Sequence, residues 1–389
     1  MTQTPVTEQT STTLYFGPWY RKSPYFEATL RYGCKAYDVY NHTYLPGYYD
    51  DPITEYWHLL NHVTIWDVGV ERQVEITGPD AFAFTNLLTP RDLSKCDIWQ
   101  CRYVVITAED GGIVNDPVLL RLGENHFWLS LADSDVLLWA KGVAVNAGMD
   151  VTVREPDVWP MQVQGPRSKD VMQTLFGDRV TGLRYYYCTE ASLEGIPVVV
   201  SRTGWTGEVG FEVYLRDGSR GDELWERVME AGKQYDIRPI APCEARRIEA
   251  GIFNYRSDMT LENNPFEVMG LERLVDLGKE ADYIGKEALR RIHGEGVRRK
   301  LVGIEIPGDP LPWELSEPWP VLGEDDSVIG RVTDAIFSPR LERNIGYVWV
   351  PIDWAVPGTD LRVRAPGGEI PGRTASLPFL DPAKRVPVS

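Results

Sequence analysis

Helical and strand-like segments follow one order along residues 51–150, and much of that order returns along residues 160–250. Both regions predict strands joined by short connections among amphipathic helices, which indicates an α+β architecture with a mostly antiparallel sheet. From Leu301 the chain changes to short strands separated by Gly and Pro, a pattern typical of a small closed or partly closed barrel. We therefore expect two related α+β halves followed by a C-terminal antiparallel β-barrel.

Periodicity and turn residues place the individual elements of the first two regions. The predicted helices span residues 51–61, 79–88, 134–148, 168–176, 221–235 and 243–250. The predicted strands span residues 71–77, 103–107, 113–122, 127–131, 160–164, 198–202 and 208–214. The turn sequence EDGG at 109–112 joins two of these strands as a hairpin.

The chain has 389 residues, a length that suggests two or three domains. We predict a disordered tail over 1–13, an α+β region of two intertwined subdomains over 14–285, and the barrel domain over 286–389. Eight tyrosines lie between Tyr20 and Tyr49, both included. Because so many aromatic rings are unfavourable in water, this aromatic arm, residues 14–50, is expected to pack on the rest of the protein.

The formal net charge is -17, from 40 basic and 57 acidic residues. Such a chain repels a phosphate backbone or an anionic membrane, and its longest basic run is the three residues 298–300. We therefore expect neither nucleic acid nor a membrane as a partner. The partners that remain are small molecules, and a homodimer is left open.

The lack of targeting signals in this sequence and the spacing of its cysteines predict a cytoplasmic protein. There is no apolar window of about 18 residues. The polar N-terminus lacks the basic start and apolar stretch of a signal peptide. The five cysteines are odd in number and form no CxxC, so neither a disulfide framework nor a zinc ribbon is indicated.

The sequence lacks the common nucleotide-binding and hydrolase motifs. Residues 204–210 contain GxxGxxG, but this differs from GxGxxG and lies between two strands, so a Rossmann site is not supported. There is no GxxxxGK[ST] and no GxSxG. His58 and His62 are four residues apart, but without HExxH a surface helix is favoured over a metal site. We predict no metal centre.

Several residues are candidates for chemistry, although each also fits an ordinary structural role. Asp116 follows a tight turn, where an acid is commonly a hydrogen-bonded turn residue. Trp205 lies in a Gly-flanked turn, where glycine permits close approach of a ligand and the indole offers a large π face. Glu212 follows on the next strand. Arg246 and Arg247 lie on a predicted helix whose charged face needs no function, so none of these residues alone identifies a reaction.

Taken in order, the motifs of this chain resemble the glycine cleavage T-protein fold family. They are IWDVGVERQVEITG (65–78), LLTPRDL (87–93), GGIVNDPV (111–118), VQGP (163–166), RTGWTGEVGFEVY (202–214), RRIEAG (246–251), NNPFE (263–267) and YIGKEAL (283–289). Within the family the chain is similar to the dimethylsulfoniopropionate demethylase branch, which shares VERQVEI, NDPV, SLADSDV, the Trp of the RTGW turn and NNPFE. The resemblance runs from about residue 35 to the C-terminus.

The resemblance implies a three-domain ring around a channel that holds tetrahydrofolate. By this likeness Glu212 would hydrogen-bond the pterin ring, and Asp116 would be the catalytic aspartate. Asn115 replaces the first aspartate of the T-protein DD pair, which argues against an aminomethyl substrate. Cys243 stands where the T-protein has a folate-contacting Arg, so the glutamyl tail is expected to be held differently. The KGCYxGQE signature of the related iron–sulfur assembly proteins is absent.

The resemblance therefore predicts a tetrahydrofolate-dependent demethylase that moves a methyl group from a sulfonium or quaternary ammonium donor to N5, giving 5-methyltetrahydrofolate. The residues predicted to bind the cofactor are Glu212, Tyr103, Val118 and Arg247. The residues predicted to bind the donor are Trp205, Tyr103 and Asn115. The predicted catalytic residue is Asp116.

Three alternatives remain open from the sequence. An aromatic methyl ether O-demethylase would also use tetrahydrofolate, although its phenolate leaving group would need a proton or a strong hydrogen-bond donor. A non-catalytic folate-binding protein is disfavoured by the retention of Asp116. Aminomethyl transfer within glycine cleavage is disfavoured by Asn115 and by the aromatic arm. A cationic donor suits the predicted aromatic wall, since cation–π contacts contribute about 0.5–2 kcal/mol.

Overall fold

Strand pairing divides the protein into a five-stranded sheet, a six-stranded sheet and a closed six-stranded barrel. These assemblies are seen in a computed structural model that describes residues 15–389, so the predicted disordered tail at 1–13 lies outside the described residues. The helices are α1 (Phe26–Arg31), α2 (Pro52–Asn61), α3 (Ala81–Leu88), α4 (Val136–Ala147), α5 (Ser168–Phe176), α6 (Asp178–Thr181), α7 (Gly221–Gly232), α8 (Glu244–Glu249), α9 (Lys286–Glu295) and α10 (Arg385–Val388). Within residues 15–389 no helix is long and apolar enough to cross a membrane.

The strands are short, and most connections between them are tight. They are β1 (Ala36–Tyr40), β2 (Thr43–Tyr48), β3 (Val63–Asp67), β4 (Gln73–Thr77), β5 (Cys101–Tyr103), β6 (Ile106–Thr107), β7 (Ile113–Asn115), β8 (Val118–Gly123), β9 (His126–Ser130), β10 (Thr152–Arg154), β11 (Trp159–Gln164), β12 (Cys188–Leu193), β13 (Ile196–Ser201), β14 (Gly210–Leu215), β15 (Ile237–Pro239), β16 (Arg299–Ile306), β17 (Trp319–Leu322), β18 (Val328–Ser338), β19 (Arg343–Pro351), β20 (Asp360–Ala365) and β21 (Gly368–Ala375).

The two sheets belong to interleaved stretches of the chain. The five-stranded sheet has the order β10-β4-β9-β8-β5, and Phe84 of α3 and Val136 of α4 share its apolar core with Ile76 and Leu129. The six-stranded sheet has the order β12-β13-β14-β11-β3-β15, with α5 and α7 packed against it. The strands of the five-stranded sheet all come from one stretch, residues 73–154, which is inserted between β3 and β11 of the six-stranded sheet, so only the six-stranded sheet is discontinuous in the chain.

Antiparallel pairing dominates both sheets, as predicted. Within residues 15–389 the one parallel ladder in the two large sheets joins β15 to β3. The barrel has the order β16-β19-β18-β17-β20-β21, and β16 closes it by pairing with β21. Val302, Ile304, Val348 and Val363 fill its interior with apolar side chains. The expected α+β fold with a C-terminal antiparallel barrel is therefore confirmed.

Two predicted strands are broken where the site lies. The stretch predicted as one strand over 113–122 forms β7 and β8, which pair with different partners on either side of Asp116 and Pro117. Proline has no backbone N–H to donate to a ladder and restricts the residue before it. The opposite strand, predicted over 103–107, is divided in the same way into β5 and β6.

Most of the aromatic arm packs on the body of the protein over its described part, residues 15–50, although Tyr15 and Trp19 are 84% and 89% exposed. Tyr25, Phe26 and Tyr44 are between 0% and 2% exposed. Tyr25 also donates a hydrogen bond to the carbonyl of Trp159 at 2.8 Å. The hairpin β1–β2 carries Tyr40 to the edge of a cavity. The prediction that this arm is packed and not disordered is confirmed.

Candidate active site

A cavity of about 410 Å³ lies where both large sheets meet the aromatic arm and the C-terminal residues. Asp116 and Val118 enter its wall from the break between β7 and β8. Gln162 and Glu212 enter it from the six-stranded sheet, and Tyr40 enters it from the arm. Segments far apart in the sequence therefore build one continuous wall.

Three polar side chains form what we call the polar floor: Glu71, Gln162 and Glu212. Gln162 and Glu212 face each other across the antiparallel ladder of β11 and β14. The amide Nε2 of Gln162 donates to Glu212 Oε1 at 2.9 Å and to Glu71 Oε1 at 3.4 Å. One amide thus holds two carboxyl groups side by side.

Glu212 is held from several sides. Its Oε2 accepts hydrogen bonds from Thr203, from Tyr214 at 3.0 Å and from Ser201 at 3.4 Å. The residue is only 3% exposed. Burial raises the pKa of Glu212, while these hydrogen bonds oppose the rise. The carboxyl group is therefore fixed in position at the cavity surface.

Trp205 owes its position to the Gly-rich turn around it. A Cβ on Gly204 or Gly210 would come within 2.3 Å or 2.1 Å of the side-chain amide of Gln164, so neither position has room for a side chain. Gly207 has a φ of +64°, which favours glycine. The turn therefore folds tightly around Gln164 and leaves the half-buried indole of Trp205 on the cavity wall.

Asp116 and Tyr103 form a hydrogen-bonded pair on the wall. The phenol of Tyr103 donates to Asp116 Oδ2 at 2.7 Å. Asp116 is 9% exposed, and its Oδ1 has no hydrogen-bond partner within the described residues. Burial raises the pKa of Asp116 to about 7, and the Tyr103 bond opposes this rise. The residue is thus a proton acceptor that titrates close to neutral pH.

A second group of carboxylates, which we call the acidic rim, consists of Asp38, Glu244 and Glu314 on the cavity wall. Glu244 and Glu314 lie with Asp334 in a cluster whose carboxylate oxygens are within 4.8 Å of one another. Burial raises the pKa of Glu244 well above its usual range. Arg247 opposes the rise, whereas the charges of Glu314 and Asp334 add to it. Burial, together with the charges of Asp334 and Asp38, also raises the pKa of Glu314 to about 7. The rim therefore retains protons near neutral pH, and its negative charge grows as the pH rises.

Two predicted contacts do not lie on the wall. Arg247 is fully buried, bonds to carboxylates around it and places its Cζ 5.5 Å from the ring centroid of Trp205, so it supports the indole from behind. Asn115 is also fully buried: it donates to Ala132 O at 3.0 Å and Ser134 Oγ at 2.9 Å. Both side chains are used by internal partners, so the structure does not bring them to the cavity.

The other predicted site residues do line the cavity. They are Tyr103, Asp116, Val118, Trp205 and Glu212. Cys243 is buried beside α8 and is not on the wall. The cations Arg246, Arg273 and Lys384 are on it. Arg246 is bound by Glu208 at 2.7 Å, which leaves the other two as positive groups at the wall.

Sequence reasoning missed part of the wall. Glu71 stands at the first polar position of the predicted strand 71–77, and Gln162 alternates with apolar residues in β11. Their positions in polar alternation are a weak signal, because most such residues face solvent. Asp38 and Tyr40 belong to the arm and precede the first of the family motifs, which begins at residue 65. Nothing in the local sequence indicates that these residues meet.

In the described part of the chain, two groups bring three potential metal ligands within 4.8 Å of one another. They are His58, His62 and Asp236, and Glu244, Glu314 and Asp334. In the first group the imidazole rings stack at 4.7 Å, and His58 Nε2 bonds the carbonyl of Asp236 at 2.7 Å. In the second group Arg247 bonds Glu244 and Asp334. Each group has partners without an ion, and the expectation of no metal centre stays a prediction.

Comparison with known proteins fits this architecture. Residues 25–279 match the GCVT N-terminal domain, and residues 299–381 match the glycine cleavage T-protein C-terminal barrel domain. The crystal structure of the glycine cleavage system aminomethyltransferase T from Bartonella henselae superposes with a TM-score of 0.83 at 23% identity. That superposition covers 93% of this chain and 98% of the other, which supports the fold.

Curated relatives are similar over almost the whole length. Dimethylsulfoniopropionate demethylase DmdA of Ruegeria pomeroyi is 38% identical over 351 residues, covering 90% of this chain and 95% of the relative. An aminomethyltransferase of Symbiobacterium thermophilum is 30% identical, covering 92% and 97%. The matching domains and these relatives show that the chain belongs to the glycine cleavage T-protein family.

Proposed function

We propose that this protein transfers a methyl group from a sulfonium or quaternary ammonium donor to N5 of tetrahydrofolate, giving 5-methyltetrahydrofolate. The observation that carries the proposal is Asp116, whose unpartnered carboxylate oxygen shares one cavity with the polar floor and with Trp205. The family adds support, because the Ruegeria pomeroyi relative is named for demethylation of a sulfonium compound.

The cavity suits a folate. A pterin is a flat heterocycle with a polar edge, and the polar floor offers it the carboxyl groups of Glu71 and Glu212. Gln162 Oε1 and Asp116 Oδ1 are buried and have no hydrogen-bond partner among residues 15–389, so each has a free acceptor site for a ligand N–H. Arg273 and Lys384 place positive charge on the same wall, which suits the carboxylates of a folate tail.

Asp116 is the group that accepts the proton released in the reaction. When bound, tetrahydrofolate supplies N5 as the nucleophile that accepts the methyl group. As the new N–CH3 bond forms, the proton of that nitrogen has to leave, and Asp116 Oδ1 can accept it. Tyr103 holds the other carboxylate oxygen at 2.7 Å and so keeps the accepting lone pair aimed at one place.

Trp205 and the acidic rim favour a donor that carries positive charge. The indole face attracts a methylated cation, and the carboxyl groups of Asp38, Glu244 and Glu314 add a longer-range attraction that grows as the pH rises and they ionise. The C–S or C–N bond of such a donor breaks to release a neutral thioether or amine. The leaving group therefore needs no proton, and the protein needs only to align donor and acceptor, which is worth up to roughly 7–11 kcal/mol.

A direct screen tests the proposal. The purified protein and tetrahydrofolate are incubated with dimethylsulfoniopropionate, glycine betaine or a methoxybenzoate, and 5-methyltetrahydrofolate is measured by chromatography. Asp116→Asn provides the inactive control. We expect product from at least one cationic donor. Product from the methoxybenzoate alone would favour the ether demethylase, and folate binding without any product would favour a binding protein.

A further inference from the structure

Glu71 and Glu212 form a pair of carboxyl groups that share one hydrogen-bond donor. Gln162 Nε2 lies 2.9 Å from Glu212 Oε1 and 3.4 Å from Glu71 Oε1, and all three residues line the cavity. Two carboxylates held this close in a buried place repel each other strongly, so the pair retains a proton at neutral pH. The question is which of the two carries it.

The hydrogen bonds assign that proton to Glu71. Glu212 accepts from Gln162, Thr203, Tyr214 and Ser201, and such a set of donors stabilises the ionised form. Glu71 accepts only the long bond from Gln162 and one from Ser130 at 3.1 Å. Burial raises the pKa of Glu71 well above its usual range, and the charge of Glu212 raises it further.

Within the part of the chain that the structure describes, no cation contributes to the pKa shift of Glu71, whose causes are burial, Glu212, Ser130 and Gln162. The charges of the pair in turn act on the phenols of Tyr40, Tyr185, Tyr186 and Tyr214 and on the thiol of Cys101. Burial raises the pKa of each of them, so all are neutral near pH 7. The floor therefore presents one ionised and one neutral carboxyl group side by side.

We propose that Glu71 is a neutral hydrogen-bond donor which, beside the ionised Glu212, recognises the amide edge of the bound pterin. This inference rests on the proposed function. The edge of a 4-oxopterin offers a carbonyl oxygen next to a ring N–H. Glu71 donates to the carbonyl oxygen, and Glu212 accepts from the N–H. If the ring were reversed, the donor Glu71 would face the ring N–H and the acceptor Glu212 would face the carbonyl oxygen, and neither hydrogen bond could form. The pair therefore fixes the orientation in which N5 meets Asp116.

Matched ligands make the inference testable by calorimetry. Tetrahydrofolate has the 4-oxo group, whereas its 4-amino analogue, tetrahydroaminopterin, has a donor in the same place. The protein should bind tetrahydrofolate more tightly at pH 6, by roughly 3–10-fold for one hydrogen bond. As the pH rises above the pKa of Glu71, the Kd of tetrahydrofolate should increase by up to about tenfold per pH unit. Over the same range the 4-amino analogue should bind more tightly, because ionised Glu71 accepts a hydrogen bond from its amino group.

Two substitutions separate hydrogen bonding from structure. Glu71→Gln keeps an N–H donor, so it should bind tetrahydrofolate within about twofold of the parent at pH 6 and lose the pH dependence. Glu71→Met removes the donor and should raise the Kd roughly 3–10-fold at pH 6. Glu75→Gln is a matched control, because this buried carboxyl group on β4 bonds His126, Trp128 and Arg154 and does not line the cavity.

The outcomes distinguish this inference from the proposed function. If the parent binds tetrahydrofolate but Glu71→Met binds it equally well, or if the parent takes up no proton on binding at a pH above the pKa of Glu71, Glu71 is not the donor and only this inference fails. Proton uptake is measured by repeating the titration in buffers of different ionisation enthalpy. If the parent binds neither ligand, the proposed function fails, and the role of Glu71 fails with it.

Discussion

The polar floor and the acidic rim are both built from carboxyl groups, yet they treat negative charge differently. At the floor, Glu71 and Glu212 are surrounded by neutral donors such as Gln162. At the rim, Glu244 and its neighbours are anchored by the guanidinium of Arg247, which bonds several carboxylates at once. The groups around the floor are neutral, whereas at the rim the charge of Arg247 opposes the rise in pKa that burial causes at Glu244 and Glu314.

This difference suits two different ligands. A floor with one charge and one proton is a pattern of donor and acceptor, which can read the edge of a neutral heterocycle by direct hydrogen bonds. A rim with more carboxylates than cations produces an attractive field for a positive donor, with little demand on orientation. We therefore propose that the floor controls the orientation of the ligand and that the rim selects for its charge. Substitutions in the floor, in the rim and at Asp116, which lies on the same wall, can test this difference.

The largest effect is expected for Asp116→Asn, since this residue faces both ligands. The substitution is nearly isosteric but removes the proton acceptor, so kcat should fall by about 10²–10⁴-fold with a smaller change in the Kd of tetrahydrofolate. Steady-state kinetics and calorimetry measure the two quantities. Equal kcat in variant and parent would show that Asp116 is only a turn residue.

The same residue predicts a pH profile. Burial raises the pKa of Asp116 to about 7, and the ionised form is the active one, so kcat/KM should rise with pH and level off above about 7. The sign for stability is opposite. The folded protein holds this proton more tightly than the unfolded chain, so Asp116 lowers the free energy of unfolding as the pH rises from about 4 to 7. In Asp116→Asn the rise of kcat/KM with pH should disappear. Thermal unfolding should also show a smaller loss of stability in this variant than in the parent between about pH 4 and 7.

The next largest effect concerns the floor. Glu212→Ala removes the carboxylate assigned to the pterin N–H and leaves Thr203 and Tyr214 without their acceptor. Tetrahydrofolate binding should weaken by about 1–3 kcal/mol, measured by calorimetry, while circular dichroism shows an intact fold. An unchanged Kd would remove Glu212 from the binding site and with it the distinction between floor and rim.

Much of the fold could be predicted because its signals are local. Helix α5 begins and ends at the predicted residues, and α2 starts where Asp51 caps the N–H groups of Ile53 and Thr54. The strand breaks could not be predicted in the same way. Whether a strand continues past Asp116 depends on which partner it meets, and that partner lies far away in the sequence.

The site was predictable where ordered motifs mark it and not elsewhere. Asp116, Trp205 and Glu212 lie in such motifs and are on the cavity wall. Asn115 and Arg247 lie in motifs too, but their side chains turn toward internal partners, a direction that depends on tertiary packing. Residues of the rim and floor that come from other strands or from the arm meet only through the fold.

A smaller effect is expected at the aromatic wall. Trp205→Leu keeps an apolar side chain but removes the π face, so a cationic donor should lose about 1–2 kcal/mol of affinity, while its neutral isostere loses little. The comparison uses dimethylsulfoniopropionate and its carbon analogue, which keeps the carboxylate but has an uncharged CH in place of the sulfonium sulfur, and both are measured as inhibition constants. If the neutral analogue binds parent and variant as well as the cation does, the donor is not held by its charge.

The smallest effect is expected at the rim itself. Burial raises the pKa of Glu314 to about 7, so this group carries its charge mainly above that pH. Glu314→Gln leaves Asp334 and Glu244 in the cluster, so the KM of a cationic donor should rise only about 2–5-fold at pH 8 and less at pH 6. Because the attraction is long-range, the difference between parent and variant should shrink as salt is added, and kcat should stay the same. Glu305→Gln, an ion-paired carboxylate on the barrel surface, is the matched control. If the KM of the cationic donor changes neither with the substitution nor with the salt concentration, the rim does not select the donor, and charge recognition then depends on Trp205 alone.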